Sequence, residues 1–167
     1  MIRLDFNVMN IHSSMILNQA MKEIIQCNDF TTKYGLRLTE QQAIALVETR
    51  NQVLKANGRV EFSGGIINKI IQAFYDSPYI TKDNYVDMIQ ELMEIFYYYK
   101  NETEDLMSDD DLILFMKNAF NHNCQGSLEL LSGRELDKMA TNLRYGKDPL
   151  DGEEDDGEKE DDDYGEY

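Results

Sequence analysis

Positive charge, cysteine, histidine, proline and tryptophan are scarce in this chain, and several of these shortages exclude a function. The 167 residues carry 16 Lys and Arg against 32 Asp and Glu, a formal net charge of -16. Such a balance offers no basic patch to displace counterions, so direct binding to a nucleic-acid backbone is not expected. Binding to an anionic membrane surface is disfavoured on the same ground. No run of about 18 apolar residues is present, so no transmembrane helix is expected. Arg3 and Asp5 interrupt the first apolar residues, which does not suit a signal peptide. The two cysteines, Cys27 and Cys124, lie far apart and form no CxxC pair, which argues against a thioredoxin-type site or a zinc knuckle. Reduced thiols and a cytoplasmic location are the expectation. There are two prolines and no tryptophan; Pro78, after Ser77, marks a helix stop.

The negative charge that is present sits unevenly. From residue 147 to 167 there are 12 acids and 2 bases, whereas 20 acids face 14 bases over residues 1–146. Residues 151–163 are almost entirely Asp, Glu and Gly, a stretch that repels itself and has nothing to bury. The expected organisation is therefore one helical domain over 1–146 and a disordered acidic tail over 147–167.

Within the domain, apolar residues recur at helical spacing. Ile16, Leu17, Ala20, Met21, Ile24 and Ile25 mark a first helix starting near Asn10 or Ser13. Before it, Ile2, Leu4, Phe6 and Val8 alternate with period two, the pattern of a short strand. Residues 28–38 read as a loop around Gly35. Thr39 with Gln42 forms a capping box for a second helix that Asn57-Gly58 ends. Ser63-Gly64-Gly65 precedes a third, carrying Ile66, Ile67, Ile70, Ile71 and Phe74. Thr81 or Asp83 is expected to cap a fourth, which runs to about Lys100. Ser108 with Asp111 opens a fifth, and Asp109, Asp110 and Asp111 suit the positive end of its dipole. Ser132 with Glu135 is a further capping box, and Gly146 closes the last helix. The fold class is all-α: a compact bundle of about six helices, with room for one very short β pairing.

That pairing would come from two segments that read alike, Gly58-Arg59-Val60-Glu61-Phe62 and Gly126-Ser127-Leu128-Glu129-Leu130. The second follows a helix and a loop with Asn121, Asn123 and Gln125, an outline like an EF-hand. Calcium is not expected there, because these positions offer neutral amides and Ser132 stands where a bidentate Glu is needed. No cofactor or metal is expected elsewhere either.

Other candidate sites are weak. His122, Cys124 and Glu129 could form a nucleophilic set, but they sit within one short turn, whereas such sets are assembled from distant positions. Ser63-Gly64-Gly65 could hold an anion at a helix start, but no Lys follows at Walker spacing, and tight packing explains the glycines better. Phe96, Tyr97, Tyr98 and Tyr99 cannot all face one side of a helix. Phe96 and Tyr99 are assigned to the core, and Tyr97 and Tyr98 are candidates for a partner contact, the alternative being rings that lie flat on the domain's own surface.

The segments Gly58–Ile67, Asp76–Ile80, Phe96–Glu102 and Cys124–Glu129 resemble an uncharacterised family of small bacterial helical proteins, a domain of unknown function, over about residues 39–131. The resemblance implies a bacterial source and transfers no catalytic or binding residue. The expectation is a non-enzymatic interaction or adaptor protein of the bacterial cytoplasm with an unidentified, basic protein partner. Tyr97, Tyr98 and the tail acids Asp161, Asp162 and Asp163 are the candidate contacts. The rivals are an acidic nucleic-acid mimic that inhibits a nucleic-acid-binding protein, a degenerate EF-hand-like regulator without calcium, and an enzyme whose site one sequence does not reveal.

Overall fold

The structure, a computed structural model, describes residues 2–61 and 65–149, with side chains from residue 14 onward. It is all-α. Helix α1 spans Ile2–Gln26 and is followed by the short α2 (Asn28–Thr31) and a single 3-10 turn, Thr32–Tyr34. Then come α3 (Glu40–Ala56), α4 (Gly65–Phe74), α5 (Tyr85–Glu102) and α6 (Asp109–Asn121). A last rod joins α7 (Leu128–Leu130), a π-helical segment (Leu131–Leu136) and α8 (Asp137–Arg144). Six long helical units are thus present among the described residues, as expected, and no strand is.

Helix α5 is the axis of the bundle. It packs against α3 on one side and against α4 and α6 on another, while α1 lies on α3 and α4. Flanked in this way, α5 buries far more than one stripe: Phe96, Tyr97, Tyr99 and even Lys100 are covered, and only Tyr98 of that run is exposed, at 57%. Tyr97, assigned to the surface on sequence grounds, is 3% exposed, which corrects its role as a partner contact. The apolar α4 supplies Ile67, Ile70, Ile71 and Phe74 to the centre, where Phe74 meets Phe120 of α6 edge-to-face at 5.5 Å.

Several helix ends follow the sequence signals. The Thr39 hydroxyl accepts from Gln42 N, and the Gln42 side chain accepts from Thr39 N, which completes the capping box. Ser108 Oγ accepts from Asp111 N at 3.1 Å. Gly146, at φ 68°, ends α8 with Gly146 N donating to Leu143 O.

Other ends depart from them. The chain is helical, not extended, at Ile2–Val8. A lone terminal strand leaves its backbone groups unpaired, whereas a helix pairs its own. The 28–38 loop holds helical turns, and Asn28 fastens it by donating to Leu38 O and accepting from Leu38 N, both at 2.9 Å. Neither Thr81 nor Asp83 caps α5. Asn84 precedes it, and its side chain instead binds Thr81 N and Tyr79 O, which fixes the entering turn. The Ser132–Glu135 capping box does not form, because Ser127 Oγ already accepts from Leu130 N and starts the rod upstream.

The two similar glycine segments fold differently. Gly58 N–H closes α3 and the chain then runs on in irregular conformation through Glu61, whereas Leu128–Leu130 is helical. The β pairing and the EF-hand-like outline both need extended backbone after Gly126, so the helix at Leu128 removes that support. Gly126 is instead a packing glycine. At φ 80°, a Cβ there would lie 2.5 Å from Tyr79 Cγ. Phe62, Ser63 and Gly64, and the tail acids Asp161, Asp162 and Asp163, lie outside the described residues.

Candidate functional site

Two hollows on the bundle differ sharply in chemistry. The first, of about 380 Å³, opens where α3 ends and α4 begins, over the C-terminal half of α5. Its centre is Glu61. One carboxylate oxygen accepts from Ile66 N, at the start of α4, at 2.6 Å. The other accepts from the Tyr97 hydroxyl. The Arg50 guanidinium, on α3 and 1% exposed, stands 3.8 Å from Glu61 Oε1.

The carboxylate therefore occupies the positive end of α4 itself. Sequence reasoning considered that spot as an anion site, and the anion is the chain's own. Gly65 is required there, since a Cβ would come within 1.7 Å of Glu61 Oε1 at φ 47°. Burial, reinforced by the bond to Glu61, pushes the Tyr97 phenol well above its ordinary value.

The rest of this cleft is equally self-satisfied. Arg59 forks onto Asp105 at 2.9 and 3.0 Å and donates its Nε to Asn101. Lys69 pairs with Asp110 at 2.8 Å. Lys100 donates to Met107 O at 2.6 Å and pairs with Asp109 at 2.7 Å. Two of the three aspartates at the head of α6 thus have lysine partners, and the third, Asp111, is exposed.

The second hollow, of about 530 Å³, runs along the outer face of α6. Asp111, Leu114, Phe115, Asn118, Ala119 and His122 line it. Their spacing of i, i+3, i+4, i+7, i+8 and i+11 is one straight helical ridge, about 16 Å long at 1.5 Å per residue. Met107 closes one end, Pro149 lies at the margin, and Glu135 of the π-helical segment forms the facing wall. That wall is braced: Arg134 donates to Glu135 Oε1 and to Asn123 O, both at 2.9 Å. Leu114 stands in the mouth, 55% exposed. No Lys or Arg lines this groove.

The sequence candidates fall out as follows. His122 lines the groove, Cys124 is buried at 2% exposure and is not part of its lining, and Glu129 is on the surface. Burial raises the Cys124 thiol, so it stays protonated and is a poor nucleophile. Cys27 is likewise pushed up to about 11 by burial. Among the described residues, no group of three or more His, Cys, Asp or Glu side chains is placed to hold a metal ion. Nor is any described helix long and apolar enough to cross a membrane. Tyr98 borders a shallow hollow with Glu94 of α5, Ser132 and Gly133 of the π-helical segment, and Asp137 at the start of α8.

The groove residues Leu114, Phe115, Asp111 and Glu135 were missed as a site. The available signal was the unbroken run Leu112–Met116, five apolar residues that no single helix face can bury. Arg50 and Glu61 were missed because their partners come from other elements.

A family model matches residues 23–149, and the chain belongs to that family, DUF6323, a family of unknown function. Neither a curated protein nor a solved structure matches the chain.

Proposed function

We propose that this chain is a partner-binding protein without chemistry of its own, and that the groove along α6 is where the partner sits. One observation carries the proposal: a hollow of about 530 Å³ with an apolar floor and an exposed leucine, Leu114, at its mouth. A soluble surface that leaves such a patch open commonly marks an interaction site. The polar cleft offers no comparable opening, because its charges are already paired with one another.

The acidic segment from Lys147 onward starts beside Pro149, at the margin of the groove, and would draw in a basic partner over a distance. Tyr98 remains a candidate contact, now with Glu94 and Asp137 as its neighbours. The tail acids Asp161, Asp162 and Asp163 belong to the same proposal, as does a setting in the bacterial cytoplasm. Mimicry of nucleic acid has less support. It needs fixed carboxylates free on the surface, and Asp76, Glu102, Asp105, Asp109 and Asp110 each pair with a lysine or arginine.

The test is affinity capture from cell extract with the full chain and its Leu114→Arg variant, circular dichroism confirming that both are folded. Captured proteins should depend on Leu114. Identical sets from the two baits would sink the proposal.

A further inference from the structure

The groove has a shape and a charge that narrow its occupant. Its floor is a helical ridge rather than a cup, and ridges of this kind accept the side chains of a second helix laid alongside. A run of about 16 Å matches three turns of such a helix. The apolar floor asks for an apolar stripe on the occupant. The charge of its own lining is one-sided, whereas the neighbouring hollow that shares Leu114 carries Lys69 and Lys117, paired with Asp110 and Asp76. Asp111 is exposed on the ridge, Glu135 faces it, and no lysine or arginine lines the groove. Arg134 offsets Glu135 in part, at 2.9 Å. From residue 147, beside the groove margin, the chain carries 12 acids against 2 bases.

We propose that the groove takes an amphipathic helix of a partner protein that carries lysine or arginine beside its apolar stripe. This rests on the groove being the binding surface. The chain's own tail is a poor occupant: Leu150 is its sole aliphatic residue, and its carboxylates would meet Asp111 and Glu135. A second copy is opposed by a net charge of -16 on each chain. A cationic helix is drawn in by the same charges that repel these two.

Fluorescence anisotropy with the full chain tests the idea. The probes are labelled peptides of about 14 residues, enough for the three turns. One has leucine at helical i, i+3, i+4 and i+7 spacing flanked by lysine. The second has the same composition scrambled, and the third has glutamine in place of lysine. The basic amphipathic peptide should bind, with scrambling or Leu114→Arg weakening it about tenfold or more. Asp111→Asn should weaken the basic peptide and leave the glutamine peptide unchanged.

Equal binding of the scrambled peptide, or indifference to Leu114→Arg, would overturn the inference, since the tail alone would then account for attraction. Equal and Leu114-dependent binding of the glutamine peptide would overturn the cationic partner while leaving the groove as the binding surface. Failure of all three peptides, alongside Leu114-dependent capture from extract, would do the same.

Discussion

The two hollows sit on one small bundle, yet one is lined by charges closed on themselves and the other is open and largely apolar. In the cleft, Glu61 meets a helix N-terminus, the Tyr97 hydroxyl and Arg50, while Lys69 and Lys100 each hold an aspartate. In the groove, Asp111 and Leu114 face outward. Polar groups that satisfy one another hold a fold together; those left facing solvent beside apolar surface are available to something else. On the proposed reading the first region serves stability and the second recognition, and that comparison can be broken at either end.

The largest effect should come from Arg50. Arg50→Met keeps the aliphatic volume but leaves Glu61 without the cation 3.8 Å away. Breaking a buried pair of this kind costs about 3 kcal/mol, read as a lower midpoint in urea. A change under about 0.5 kcal/mol, the size of an ordinary surface substitution, would mean that the cleft does not hold the fold.

Alkaline pH should act next. Burial raises the Tyr85, Tyr97 and Tyr99 phenols above their ordinary value, and Cys27 is pushed up to about 11. Groups whose pKa is raised by folding lend stability below their unfolded value and lose it as pH rises toward the folded one. Stability should therefore hold to about pH 8.5, the unfolded thiol value, and fall steeply above about pH 10, where unfolded tyrosine ionises first. Denaturation midpoints across that range check this; a flat profile to pH 11 would contradict the burial of these groups. The smallest effect on stability is expected in the groove. Leu114→Arg should shift stability by less than about 0.5 kcal/mol, because the position is exposed, and Asp111→Asn by no more than about 1 kcal/mol, since it removes one charge from the positive end of α6.

Much of the bundle could be read from local signals. Thr39 with Gln42, Ser108 with Asp111, Gly58 and Gly146 mark helix ends that the structure reproduces, since each cap is made by residues three or four apart. The failures have the opposite origin. The π-helical segment absorbs Ser132 and Glu135 because Ser127 starts the helix earlier, a competition that no single signature shows. Tyr97 is buried because α5 has neighbours on two sides, and Arg50 because Glu61 and the Tyr97 hydroxyl stand opposite it. Of the groove, the chemistry of Asp111 was legible only as helix-end stabilisation. Its facing wall, Glu135, is 24 residues further on and arrives through a turn of the chain.

The most direct measurement compares one peptide against both hollows. The labelled basic amphipathic peptide is titrated with the native full chain, with Leu114→Arg in the groove, and with Lys69→Gln in the cleft, a residue whose side chain is 46% exposed. The account predicts a loss of about tenfold or more for Leu114→Arg and no change for Lys69→Gln. Equal affinity for the native chain and Leu114→Arg, or a loss confined to Lys69→Gln, would contradict it.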